Sequence, residues 1–329
     1  MRIKTPPQTR MTRSQFLHPH MRFSANQISI EPTRPNHVLP YADSTGFTPI
    51  DSFFKHVSHE VMQVETATWQ LSIDGLVGQP LGVSLDELKA MQVVEMACTL
   101  AAITSTPNNL LVGHALWRGV PLNRLLEQVG LRPEAHYAQF RSANGYSTYL
   151  PVDVLDQAIL AYAMNGEPLS AEQGYPVRLI VPGLYDYKMP KSLQTVELVA
   201  APSLGHYESH GWSTQGVVQT TSAIFTPRSR DTVDGPVLFS GMAFAGTKAI
   251  TRIELSIDDG DWMPVPFKAA ESGSWTCWQI DWLPPAPGDY LVKVRATDSE
   301  GFTQPDAQVA HVFPNGSSAI HAVVFRVSM

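Results

Sequence analysis

After about residue 215 the chain changes its hydrophobic rhythm, and that change restricts its architecture more than any single motif does. Segments 236–241, 250–258, 262–267, 275–282, 290–296 and 309–312 alternate apolar and polar residues. Asp259-Gly260, Pro287-Gly288 and Glu300-Gly301 punctuate them. A period of two gives each segment one buried face and one open face. About seven such strands in about 110 residues predict a β-sandwich of immunoglobulin type. Trp275 falls on the face opposite Trp278 and Trp282, so the three cannot form one flat binding platform. They read as core or dimer-contact residues.

The preceding half has a different texture. Trp69 to Gly75 alternates and reads as a strand, and Val177 to Val181 is an apolar strand ending at Pro182-Gly183. Ser84 followed by Glu87 three residues later predicts a capped helix start. Leu122, Leu125 and Leu126 line one face of a helix within 120–129. A second short helix is expected around 152–158, and a strand at 159–162 before the Asn165-Gly166 turn. No Gly-rich fingerprint follows any strand, which disfavours a doubly wound dinucleotide fold. The predicted class is therefore α+β, with an irregular segment over 1–45, a mixed α/β domain over 46–215 and the sandwich over 216–329. The polar stretch from Gln215 to Ser222 reads as the linker.

Composition narrows the function. A net charge of -7 leaves no basic footprint for nucleic acid. No run approaches the ~20 apolar residues of a membrane-spanning helix. Two cysteines in 329 residues exclude a disulfide framework. The 26 prolines exceed the usual ~5% and favour turns over a helical bundle. Thr12-Arg13-Ser14-Gln15-Phe16-Leu17 faintly resembles a twin-arginine export signal, but Ser14 replaces the second arginine and His18-Pro19-His20 interrupts the apolar core. It does not read as a working signal. The cytoplasm is expected on that ground, and the periplasm if the true start lies elsewhere.

One residue stands out chemically. Cys98 closes the apolar run 93–97, which reads as a buried strand ending at a polar loop. A thiol at the C-terminal lip of a strand is placed to ligate a soft metal. With Cys277 far away, a closed site built from cysteines is excluded, and other groups must supply most ligands. The alternative is a small buried hydrophobe. His59-Glu60-Val61-Met62-Gln63 begins like a zinc-protease helix but ends in Gln where a second histidine is required. No P-loop, G-x-S-x-G elbow, paired C-x-x-C or C-x-x-C-H haem site occurs.

Several segments line up in order with one family. They are Phe53-Phe54-Lys55, Trp69 to Gly75, the strand ending in Cys98, and Ala115-Leu116-Trp117-Arg118-Gly119-Val120-Pro121-Leu122. Asn144-Gly145-Tyr146-Ser147, Ala161 to Leu169, Gly174-Tyr175-Pro176-Val177-Arg178 and the pair Lys188 and Lys191 follow. Over about 45–215 the chain resembles the sulfite oxidase family of molybdenum–pterin enzymes, which includes plant nitrate reductase. Gly241 to Gly246, Ile253 to Ser256, Trp275, Trp278 and Arg295 to Ser299 resemble the family's C-terminal sandwich, which mediates dimerisation in relatives. The resemblance implies that Cys98 is the single protein thiolate on molybdenum. It implies that Arg178, Lys188 and Lys191, with Lys55 and His56, hold the pterin phosphate. Arg suits bidentate phosphate contacts. The alternative for each cation is a solvated surface charge.

Departures from the family pattern bear on the substrate. Gln70 stands where sulfite oxidases carry a substrate-binding arginine, and Trp212 is nearest to their active-site tyrosine. Gln173 occupies a position where relatives often have His, and Cys98-Thr99-Leu100-Ala101 replaces C-A-G-N. A neutral, aromatic pocket should bind a small dianion poorly. The resemblance thus implies a molybdopterin-dependent oxidoreductase that moves an oxygen atom or two electrons on a small substrate other than sulfite. Without a haem or flavin motif, a separate electron-transfer partner is expected. The competing expectations are a cofactor-binding or structural protein of the same fold without turnover, and a binding protein that uses its sandwich.

Overall fold

The computed structural model describes residues 46–55, 60–306 and 311–328. The irregular segment expected over 1–45 and the candidate His56 lie outside these residues.

Among the described residues the first half holds ten strands, three α-helices and three 3-10 helices, the latter at Ile50–Ser52, at Val152–Gln157 where a short helix is expected, and at Asp186–Lys188. The strands are β1 (Gln70–Gly75), β2 (Leu81–Ser84), β3 (Val94–Ala101), β4 (Val112–Pro121), β5 (Tyr137–Ser142), β6 (Ser147–Pro151), β7 (Ile159–Met164), β8 (Glu167–Pro168), β9 (Arg178–Ile180) and β10 (Leu193–Val199). The α-helices are α1 (Leu85–Ala90), α2 (Leu122–Val129) and α3 (His206–Ser209). Alternation makes β1: Leu71 and Ile73 are fully buried between more exposed neighbours. At α1 the Ser84 hydroxyl accepts from the Glu87 N–H, and the Glu87 carboxylate accepts from the Ser84 N–H, satisfying donors the helix cannot. α2 buries Leu122, Leu125, Leu126 and Val129, and ends at Gly130, whose φ of 67° lies in the left-handed region glycine tolerates.

Two sheets result. One has the order β2-β1-β10-β5-β6, with β1 parallel to β10. The other runs β3-β4-β7-β8, with β9 pairing β7. Their apolar faces form one core that includes Phe53, Trp69, Trp117 and Phe140.

The second half is an immunoglobulin-like sandwich. Its strands are β11 (Thr221–Thr226), β12 (Thr232–Asp234), β13 (Val237–Phe244), β14 (Ile250–Ile257), β15 (Met263–Pro264), β16 (Thr276–Trp282), β17 (Gly288–Asp298) and β18 (His321–Ser328). The sheets β11-β13-β16 and β12-β18-β17-β14-β15 close over Phe239, Trp278, Trp282, Val292 and Phe325. Trp275 packs elsewhere, with Tyr185, Tyr187, Phe225 and Phe244, in a third cluster that joins the two halves.

Three expectations change. Cys98 sits inside β3, because the strand continues through Thr99. That hydroxyl is paired with the Trp275 N–H (3.0 Å) and with Nδ1 of His114 (2.9 Å), so a polar residue does not end the strand. The expected linker already holds the start of β11. Thr220 donates to Asp298 (2.6 Å) and Ser222 to Gln304 (2.7 Å), which brings these polar residues into the sandwich. The last strand is β18; the expected one at 309–312 lies partly outside the described residues.

Candidate active site

Antiparallel pairing decides which side chains share a face. Cys98 stands opposite Ala115, Met96 opposite Trp117 and Leu100 opposite Gly113. Directly opposed residues point to the same side, so Cys98, Trp117 and Gly113 lie on one face of the β3–β4 pair. Phe53 covers it: a Cβ on Gly113 would come within 2.7 Å of the Phe53 ring, which meets Trp117 edge-on at 5.8 Å. The Trp117 indole N–H donates to the Cys98 carbonyl at 3.3 Å. Cys98 is fully buried, and burial pushes its thiol up to about 12.

Arg178, at the start of β9, brings a cation to this buried corner. Its guanidinium carbon lies 5.7 Å from the centre of the Trp117 ring. The side chain is only 2% exposed, and Gln173 Oε1 accepts from Nη1 at 3.4 Å. Its Nε, also buried, has no hydrogen-bond partner among the described residues. Burial lowers its pKa to about 10, while the nearby Asp186 and Cys98 act in the opposite direction.

The same half holds a cleft of about 540 Å³, a space that includes open solvent. Tyr146, Tyr187, Tyr207, Asp186, Glu172 and Lys191 are among its lining residues. Lys191 donates to the Glu172 carbonyl at 2.8 Å. Burial, followed by the charge of Arg178, brings its ammonium down to about 7. Burial raises all three tyrosines, Tyr207 to about 12, so they stay protonated donors at neutral pH.

The remaining sequence candidates take different positions. Lys55 is exposed and pairs with the Glu172 carboxylate at the cleft edge. Lys188 is fully buried away from the cleft lining. Its ammonium pairs with Glu208, donates to the Tyr149 carbonyl (3.1 Å) and lies 4.6 Å from the Tyr149 ring centre. Gln70 is exposed at the start of β1, outside the cleft lining. Trp212 packs edge-on against Tyr207 (6.0 Å) and Phe313 (5.2 Å), one residue removed from the cleft. Sequence reading missed Tyr207, Asp186 and Tyr187 as lining residues, because they come from segments with no shared motif.

A buried thiol and a buried cation thus share one corner of the core, and the cleft lies in the same half. Comparisons with known proteins give the class of the chain. Residues 58–207 match the oxidoreductase molybdopterin binding domain, and residues 213–329 match the Mo-co oxidoreductase dimerisation domain. The chain is 32% identical over 152 residues to the uncharacterized oxidoreductase YuiH of Bacillus subtilis, covering 45% of this chain and 74% of that one. It is 26% identical to rat mitochondrial sulfite oxidase, over 88% of this chain and 62% of the relative. Barley nitrate reductase is 27% identical, over 82% of this chain and 38% of that one. The chain thus spans less than two thirds of these two larger relatives. The crystal structure of the sulfane dehydrogenase SoxCD from Paracoccus pantotrophus shares the fold, with a TM-score of 0.74 at 22% identity over 86% of this chain and 84% of that one. The chain belongs to the sulfite oxidase family of molybdopterin-binding oxidoreductases.

Proposed function

We propose that the chain is a molybdenum cofactor-dependent oxidoreductase acting on a small substrate other than sulfite, with Cys98 as the protein's ligand to the metal. The observation that carries this reading is Arg178. A guanidinium buried with an unsatisfied Nε is costly unless an anion completes it. Molybdopterin is anionic at its phosphate and its sulfurs, so the donor set fits the group. Arg178 and Lys191 would hold it, with Lys55 at the cleft edge.

When bound, the cofactor supplies two-electron chemistry at the metal. The chain does the rest. Phe53 and Trp117 exclude water from the thiol. Cys98, held protonated by burial, would give up its proton on ligation, since a thiol bound to a metal is deprotonated. Tyr146 and Tyr187 donate their hydroxyl protons to the Tyr187 and Ser213 carbonyls, so with Tyr207 they line the cleft with neutral aromatic surface. Glu60, Glu172 and Asp186 set three carboxylates against Lys191 in the cleft lining, and Gln70 brings no cation. With Arg178 and Lys191 engaged by the cofactor, the remaining carboxylates disfavour a further dianion and support a neutral substrate such as an S-oxide or N-oxide. Electrons pass to a separate partner, and the sandwich joins two copies, a role supported by the dimerisation-domain match.

The test is metal analysis of protein made in a host that synthesises molybdopterin. About one molybdenum per chain, lost in Cys98→Ser, is expected. Molybdenum retained by the variant would remove Cys98 from the ligand set, and none in either protein would defeat the proposal. Rapid sulfite turnover by the loaded protein would refute the substrate assignment. Full loading with no turnover of sulfoxide, N-oxide or nitrate would favour a cofactor-binding protein without catalysis.

A further inference from the structure

The helix that borders the cleft carries a second chemical feature. α3 and its cap read His206-Tyr207-Glu208-Ser209-His210. Residues four apart on a helix are neighbours on one face. The two imidazoles are indeed adjacent, with ring centres 4.9 Å apart and planes tilted by 48°. His210 is exposed and His206 half-buried.

The hydrogen bonds fix the chemistry of one ring. Nδ1 of His210 lies 2.7 Å from the His206 carbonyl. A carbonyl only accepts, so Nδ1 carries the proton and the Nε2 lone pair is left as a donor to a Lewis acid. A backbone carbonyl on the other ring nitrogen is the usual outer support of a metal-bound histidine. An ion about 2.0–2.1 Å from a nitrogen of each ring, with near-tetrahedral angles, sets two imidazole centres about 5 Å apart. The observed separation of 4.9 Å matches that spacing.

We infer that His206 and His210 form a surface site for a divalent transition metal of the imidazole-preferring class, such as Zn²⁺, Ni²⁺ or Cu²⁺. No group of three or more His, Cys, Asp or Glu side chains suited to a metal occurs among the described residues, so solvent completes the coordination. The site is independent of the molybdenum reading. Its consequence is mechanical. The ion bridges the start and the cap of α3, which holds Tyr207 in the cleft wall and Glu208 against Lys188. Occupancy clamps that turn.

The experiment uses the full-length chain in metal-free buffer, titrated with Ni²⁺ and followed by hydrogen exchange resolved to residues 205–212. Nickel is expected to slow exchange in this segment of the wild-type protein. In His206→Gln and in His210→Gln the nickel concentration needed should rise by at least the about 10–100-fold that loss of an outer-shell partner costs. Position-resolved exchange separates this site from binding by histidines elsewhere in the chain, and thermal melts without metal confirm that both variants fold. No nickel-dependent protection in the wild type, or equal protection in either variant, would overturn the inference.

Discussion

Arg178 and Lys188 are buried cations of the same half, close in sequence, and their surroundings are opposite. Lys188 is neutralised from within: Glu208 pairs with it, Thr148 donates to the same carboxylate at 2.6 Å, and Tyr149 supplies a carbonyl and a ring face. Arg178 has a long contact to Gln173 and a buried Nε with no acceptor among the described residues. One cation is met by a carboxylate of the polypeptide, although Glu208 Oε2 itself has no hydrogen-bond partner among the described residues. The other is left short of negative charge. The difference separates a cation that belongs to the fold from a cation suited to something the fold receives.

The largest effect should come from breaking the Lys188–Glu208 pair. Glu208→Gln or Lys188→Met strands its partner in a dry environment and should cost about 3–5 kcal/mol in denaturant unfolding. The double variant Lys188→Met/Glu208→Leu should recover most of that loss. If the single variants are silent, Lys188 is not completed by Glu208 and the contrast collapses.

Acid gives a slightly smaller effect from a group that stays neutral when buried. His321 accepts from the Ile224 N–H through Nδ1 at 2.9 Å, and burial holds its pKa near 4, below the ordinary 6.5. The folded state therefore binds fewer protons than the unfolded state between these values. Its contribution is complete above pH 6.5, falls as pH drops, and is gone below about pH 4, with a total of about 3 kcal/mol. His321→Gln should flatten the pH dependence of the melting temperature over that window. An unchanged slope would place the acid sensitivity elsewhere.

The smallest effect on stability is expected at Arg178. Arg178→Met, which replaces a poorly paired ion with an apolar side chain, should change the stability of the cofactor-free chain by at most about 1 kcal/mol. Molybdenum content should nevertheless collapse. A variant that unfolds but keeps its metal would reverse the roles assigned to the two cations.

Much of the scaffold could be read locally. The alternation of β1, the Ser84–Glu87 cap and the leucine face of α2 are short-range patterns, and each forms as its residues dictate. Cys98 was legible as a buried strand residue but not as an internal one, because the partner that lets β3 run through Thr99 is Trp275, in the other half. The strand β18 carries a clear period of two, with His321, Val323, Phe325 and Val327 buried, and could have been found. The cleft could not. Tyr146, Asp186 and Tyr207 converge only through the pairing of distant strands, and Lys188 was indistinguishable from Lys191 until Glu208 was seen beside it.

The link at Thr99 has a consequence for how such a chain comes into being. Its N–H donates to the Gly273 carbonyl at 2.8 Å, and its hydroxyl accepts from the Trp275 N–H. The residue next to the thiol thus acquires its last partners only when the C-terminal half has been synthesised. A nascent chain that stops before Gly273 can pair β3 with β4 but cannot lock it. During translation, the strand bearing Cys98 passes through an interval in which its own sheet is complete and its latch does not yet exist.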